Sequence, residues 1–216
     1  MKRLLLILLA VCAIFSFSAC NRNNDNTEPP EPAYTVSLPE AEEVTNFVQF
    51  TMDNGATFVV ELYPQYAPIT VAHFKSLVSA KFYDGLTFHR IDKNFMIQGG
   101  DIDGDGLSAE GQPYIAGEFE ANGYAYNTLS HKKGVISMAR LTNNYNSAYS
   151  QFFIMHDDRP GLDGEYAAFG CVVAGFETID ELANLAVTTQ KYSSEKTKPV
   201  NTPVMTSVYF VNYVAE

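Results

Sequence analysis

Cysteine is scarce in this chain of 216 residues: there are three, Cys12, Cys20 and Cys171. Two lie at the extreme N-terminus, so the rest of the chain holds one thiol and carries no disulfide framework. Cys171 sits in an apolar, strand-like run and reads as a small core residue, not a nucleophile. Basic residues are also few, 14 Lys and Arg against 25 Asp and Glu, for a formal net charge of −11. That balance argues against nucleic acid as a general partner and against electrostatic adhesion to anionic lipid. Its main consequence is solubility. None of His73, His89, His131 and His156 is spaced like a zinc pair, and no Gly-x-Ser-x-Gly is present, so no metal site or serine-hydrolase elbow is expected. No internal repeat is found. The one long apolar run, Leu4 to Phe15, is too short to span a bilayer comfortably.

What is present at the N-terminus has its own logic. Met1-Lys2-Arg3, the apolar run and the small-residue exit Ser16-Phe17-Ser18-Ala19-Cys20 together form a secretory signal over residues 1–19. Ala19-Cys20 resembles a bacterial lipoprotein cleavage site, with Cys20 as the lipidated first residue, although Phe17 stands where such sites usually carry Leu. Cleavage elsewhere, with Cys20 incidental, is the alternative. Residues 20–43 are rich in Asn, Pro and Glu, have no apolar period, and read as a flexible tether. Loss of Lys2 and Arg3 with the signal leaves 12 basic against 25 acidic residues, a net charge of −13, so membrane attachment would rest on the lipid. The expected location is the envelope of a Gram-negative-type bacterium, anchored at the outer membrane, with either face open.

Residues 44–216 are the right size for one domain. Phe47–Met52 and Thr57–Leu62 are strand-like, and Asp53-Asn54-Gly55 between them predicts a tight hairpin with positive φ at Asn-Gly. Pro64 and Pro68 end the second strand. Val71, Phe74, Leu77 and Val78 follow at helical spacing over 69–79. Short strands are expected over 87–91, 95–98, 135–138, 151–155 and 168–173, a second helix over 176–185, and a closing strand over 205–213. Many short strands with a helix near each end point to an antiparallel β architecture with helical caps. Periodicity alone does not separate a barrel from a sandwich.

The most informative stretch is Phe88-His89-Arg90-Ile91-Asp92-Lys93-Asn94-Phe95-Met96-Ile97-Gln98-Gly99-Gly100-Asp101. It sets an arginine, two large apolar side chains and an amide within a short span, before a glycine pair. A second segment, Ser150-Gln151-Phe152-Phe153-Ile154, adds another amide and another apolar wall. Strand period places Met96 with Gln98, and Gln151 with Phe153, on common faces. Taken singly these residues are unremarkable: Arg90 would be a salt-bridge arginine, Phe95, Met96, Phe153 and Leu162 simple core, and Gln98 and Gln151 partners for strand ends.

Jointly, and with Tyr83-Asp84-Gly85, Gly117-Glu118-Phe119, His131, Gly134 and Leu162-Asp163-Gly164 in order, the chain resembles the cyclophilin family of peptidyl-prolyl isomerases from about residue 47 to 211. The resemblance implies a mainly β fold, an eight-stranded antiparallel barrel capped by two α-helices. It implies Arg90 as the catalytic arginine, with Phe95 and Gln98 grouped beside it, and a proline pocket of Phe95, Met96, Phe153 and Leu162. Gln98 and Gln151 would orient the arginine and contact substrate backbone, as would the backbone of Ala139 and Arg140, with Tyr166 at the pocket edge. It implies no cofactor or metal, a proline-containing polypeptide segment as partner, and a monomer. The alternative is a module that binds Pro-containing segments as a chaperone or scaffold without turnover as its role. Three positions depart from the pattern. Arg140 stands where many relatives have Asn, Tyr166 where eukaryotic members have His, and Gly161 where they have a Trp that helps bind cyclosporin, so weak cyclosporin sensitivity is expected. The loop 141–150 is about two residues longer than in the eukaryotic form. Asp101-Ile102-Asp103-Gly104-Asp105-Gly106 begins like a calcium loop, but its twelfth position is Gln112, not Glu, so an acidic turn is the better reading.

Overall fold

The computed structural model describes residues 35–38, 44–107, 113–191 and 194–215. The residues read as a signal, Cys20, most of those read as a tether, and Gln112 lie outside these. In chain order the elements are β1 (Thr35–Ser37), β2 (Phe47–Met52), β3 (Thr57–Leu62), α1 (Pro68–Ser79), β4 (Thr87–Asp92), β5 (Met96–Asp101), β6 (Val135–Met138), β7 (Phe152–Met155), β8 (Ala168–Ala174), α2 (Phe176–Ala183), β9 (Val187–Thr189), β10 (Lys196–Pro199) and β11 (Met205–Val214).

Eight antiparallel strands run in the order β11-β2-β3-β8-β6-β7-β5-β4. The sheet returns on itself where Gly85 N–H donates to the Met205 carbonyl at 2.7 Å and Met205 N–H donates to the Leu86 carbonyl at 2.8 Å. Curling the sheet into a barrel removes its exposed edges. Proline at the first helical position starts α1, where a missing N–H costs nothing. The Glu118 carboxylate then accepts the N–H groups of Ile69 and Thr70 at 3.0 and 2.7 Å, satisfying the helix end that no local cap serves. Because α1 follows β3, α2 follows β8, and these strands are antiparallel neighbours, the helices lie at opposite ends of the barrel.

One apolar cluster fills the interior. Phe50 stacks on Phe58 at 4.6 Å between centroids, and Phe74 of α1 packs on Phe152 and Phe169 at 6.0 and 5.1 Å. Along β6 and β7 every residue is buried, against the half-buried pattern of a solvated sheet. Phe152 and Ile154 face inward, whereas Phe153 and Met155 join a second cluster on the outer face, with Met96, Val135 and Ala168. The functional site is built over that second cluster.

Three features differ from the sequence reading. The β2–β3 connection is longer than a two-residue turn: Gly55, at φ 84°, donates to the Met52 carbonyl at 2.9 Å, Asn54 Oδ1 accepts from Ala56 N–H at 3.0 Å, and Asn54 itself is not at positive φ. Only the glycine needs the left-handed region there. Thr35–Ser37, inside the segment read as tether, pairs with Asn212–Val214 of β11 as an added strand, because the end of β11 runs past the barrel and offers unpaired backbone. The β9–β10 hairpin has no counterpart in the sequence reading: Val187–Thr189 and Lys196–Pro199 are short and mostly polar, without a hydrophobic alternation, and Thr197 and Pro199 become buried only in the fold.

Candidate active site

Three adjacent strands and three loops supply the site. Arg90 comes from β4 and is paired in register with Gln98 of β5, which is itself paired with Phe153 of β7. Phe95 sits in the β4–β5 turn, held by its N–H to the Asp92 carbonyl at 2.9 Å. Ala139 and Arg140 follow β6, Leu162 ends the 3-10 turn Pro160–Leu162, and Tyr166 precedes β8. Arg90, Phe95, Met96, Gln98, Ala139, Arg140, Phe153, Leu162 and Tyr166 line one cavity of about 180 Å³. Gln151 lies beside it, in a second cavity of about 100 Å³ that shares Gln98, Ala139 and Arg140 as a wall. The sequence-predicted site residues inside the domain are thus brought together.

The glycine pair explains how the amides align. A Cβ on Gly100 would lie 2.5 Å from the Ser150 carbonyl oxygen, and φ there is 80°, a conformation glycine tolerates. A Cβ on Gly99 would meet Phe88 Cδ1 and the Thr87 carbonyl at 2.9 Å. This close approach seats Gln151 beside Gln98. Gln98 Nε2 donates to Gln151 Oε1 at 2.9 Å, and Gln151 Nε2 donates to Asp101 Oδ1 at 3.0 Å and to the Leu107 carbonyl at 2.9 Å. Asp101 Oδ2 accepts Gly106 N–H at 2.9 Å. The acidic loop therefore anchors the two glutamines, a role its composition did not reveal.

The apolar wall is fixed from behind. The Phe153 ring meets Tyr166 edge-on at 5.7 Å and stacks with His131 at 6.0 Å. His131 is buried, and burial holds its pKa below the ordinary 6.5, against the pull of Asp163. Asp163 also lies low: burial works the other way, but hydrogen bonds from the His131 N–H, the Ser130 hydroxyl and the His131 ring outweigh it. The contact of 3.0 Å between them is thus a hydrogen bond from a neutral imidazole at neutral pH. With Nδ1 donating to the carboxylate, Nε2 accepts from Ser137 Oγ at 3.1 Å.

The Arg140 side chain is buried, beyond the backbone contact that the resemblance implies. Its guanidinium carbon lies 5.3, 4.7 and 4.4 Å from the ring centroids of Phe119, Tyr145 and Tyr166. It donates from Nε to the Glu165 carbonyl at 3.1 Å and from Nη1 to the carbonyls of Leu141 and Thr142 at 3.1 and 3.3 Å. The side chain is committed to the fold and ties the Tyr166 wall to the loop 141–150. His73 is half-buried, with Nε2 2.8 Å from the Tyr149 carbonyl. One smaller expectation, that Cys171 is a core residue, is corrected. Cys171 is partly exposed on the sheet surface, and burial still pushes its thiol pKa up, which keeps it unreactive. Glu195, whose Oε2 lies 3.2 Å from Arg90 Nη2, was missed: it is distant in sequence and lies in a polar segment without periodicity.

Comparison with known proteins follows the same lines. The family described as "Cyclophilin type peptidyl-prolyl cis-trans isomerase/CLD" matches residues 47–209. Peptidyl-prolyl cis-trans isomerase B of Bacillus subtilis is 39% identical over 135 residues, covering 62% of this chain and 89% of its own. The peptidyl-prolyl cis-trans isomerase of Acinetobacter baylyi is 36% identical over 157 residues, covering 70% and 80%. A cyclophilin-type isomerase of Cryptosporidium parvum, crystallised in the presence of the dipeptide Ala-Pro, superposes with a TM-score of 0.63 at 29% identity, covering 76% of this chain and 98% of that one. The chain belongs to the cyclophilin-type peptidyl-prolyl cis-trans isomerases. It is an enzyme that interconverts the two planar forms of the bond preceding proline.

Proposed function

We propose that the 180 Å³ cavity receives the proline ring and that Arg90 drives the rotation. The barrier to be lowered is about 18–20 kcal/mol, because the amide nitrogen lone pair is delocalised into the carbonyl. Rotation needs no nucleophile and no redox centre. It needs a site that holds the twisted amide more tightly than either planar isomer. In the twisted form the lone pair is localised on nitrogen, and a donor beside it in a dry cleft favours that form. Arginine keeps its charge when partly buried and offers fixed donors. Phe95, Met96, Phe153 and Leu162 hold the ring, Tyr166 closes the edge, and Gln98, Gln151 and the backbone at Ala139 and Arg140 hold the flanking chain.

The observation that supports this reading is the shared lining of one cavity by a guanidinium and these apolar side chains. The test is isomerisation of a proline peptide by the Arg90→Ala variant of the full chain. Loss of about 100-fold in kcat/KM is expected, as for removal of one transition-state donor. Unchanged activity removes Arg90 from the mechanism.

The biological setting is proposed on the N-terminal sequence: an exported enzyme, lipid-anchored through Cys20, acting on folding envelope or secreted proteins. Incorporation of labelled fatty acid into the chain, abolished by Cys20→Ser, is the expected outcome. Label retained in that variant would rule Cys20 out.

A further inference from the structure

We infer that Glu195 is a positioning residue for Arg90, so that the β9–β10 hairpin is a working part of the active site. This rests on the catalytic role proposed for Arg90. A partly exposed arginine has several rotors and about 2 kcal/mol of rotamer entropy, and a donor that must meet a developing lone pair has to be held before the reaction begins. The contacts Arg90 receives from its own sheet are weak. Nη1 lies 3.4 Å from Gln98 Oε1 and 3.9 Å from Met96 Sδ, and the guanidinium carbon is 6.0 Å from the Phe95 ring centroid. The first is longer than an ordinary N–H···O bond, and the last is at the limit of cation–π range. The shortest polar contact comes from the other side, Nη2 to Glu195 Oε2 at 3.2 Å, and it is charge-assisted. Glu195 and Gln98 thus hold the two terminal nitrogens separately, which defines the guanidinium plane.

The hairpin is docked where this contact requires it. Gln190 N–H donates to the Glu195 carbonyl at 3.0 Å, and Gln190 Nε2 donates to the carbonyl of His89, the neighbour of Arg90, at 3.4 Å. Thr189 pairs with Lys196, the residue after Glu195. The residue that carries the carboxylate is therefore tied, through the backbone and side-chain amides of Gln190, to the strand that carries the arginine. Its side chain is 57% exposed, against 28% for Arg90, so the effect on rate is modest and screened by salt.

The test compares Glu195→Ala and Glu195→Gln with the unaltered full-length chain, measuring kcat and KM separately at low and high ionic strength. Glu195→Ala is expected to lower kcat about threefold with KM unchanged. Glu195→Gln, which keeps an acceptor oxygen, should recover part of that loss. Salt should slow the unaltered enzyme toward the variants and leave Glu195→Ala unaffected. Three results overturn the inference: kcat and salt response unchanged in Glu195→Ala, a rise in kcat, or a change confined to KM for peptides with a basic residue near proline. Any of these with Arg90→Ala still inactive leaves the catalytic reading intact. Full activity in Arg90→Ala defeats that reading first.

Discussion

At the scale of single residues, the site divides into groups that face the cavity and groups that hold them there. Arg140 belongs to the second kind although it also lines the cavity. Its side chain is 6% exposed and makes charge-assisted bonds to backbone carbonyls, among three aromatic rings. Removing a buried cation strands those acceptors and the ring faces. Arg140→Ala is expected to cost about 3 kcal/mol and to lower Tm by roughly 10 °C, read by thermal unfolding. Arg140→Lys should recover only part, since an ammonium cannot stack flat on Tyr166. Unchanged Tm in Arg140→Ala would show that the rings and carbonyls are satisfied without it. An arginine in place of the family's common asparagine was visible in the sequence. That it folds under the loop was not, because the partners Phe119, Tyr145 and Glu165 lie on three separate segments.

At the scale of elements, the outer-face cluster on β5, β6, β7 and β8 is what turns a barrel into an enzyme. Alternation along β5 and β7 places Met96, Gln98 and Phe153 outward. The glycine pair at 99–100 then lets β5 approach the segment entering β7 closely enough for Gln98 and Gln151 to bond. Gly100→Ala puts a Cβ 2.5 Å from the Ser150 carbonyl at a φ of 80°. The expected cost is about 3 kcal/mol, with kcat/KM down about tenfold as the glutamines separate. Chemical denaturation and the peptide assay check the two parts. Wild-type stability would mean that Ser150 moves aside freely. The β9–β10 hairpin marks the opposite case: its short polar strands are defined by docking on β4 and not by any pattern of their own.

For the whole molecule, stability should depend on pH with a sign set by buried histidines. His89 is 4% exposed, and neither ring nitrogen has a partner among the described residues. Burial pushes its pKa below 6.5, partly opposed by Asp101 and Asp105 and reinforced by Arg90. His73 and His131 are likewise held low by burial. An unfolded chain takes up protons at these histidines near pH 6.5 while the folded one resists. The unfolded state therefore binds more protons below that pH, and stability is lost as pH falls from about 7 toward 5. The urea midpoint should decline across this range, and His89→Leu should flatten the decline. A midpoint that is level, or that rises on acidification, contradicts burial of neutral imidazoles. Asp163 and Asp180, both held below 3.8, add loss of the same sign at lower pH.

Sequence by itself determined the parts that local rules govern. Alternation and helical spacing marked the eight barrel strands and both helices to within a few residues, whereas the cavity wall from Arg90 to Tyr166 was marked only through the resemblance to the cyclophilins that those residues carry in order. Only the tertiary structure decided what joins segments far apart in the chain. It closed the barrel through residues 85–88 and 203–205, added Thr35–Ser37 to the end of β11, turned the acidic loop into an anchor for Gln151, and brought Glu195 to Arg90. The physical reason is that a side chain's own periodicity reports which face it occupies. The partner it meets across that face depends on barrel register and on loop docking, which no single stretch of residues encodes.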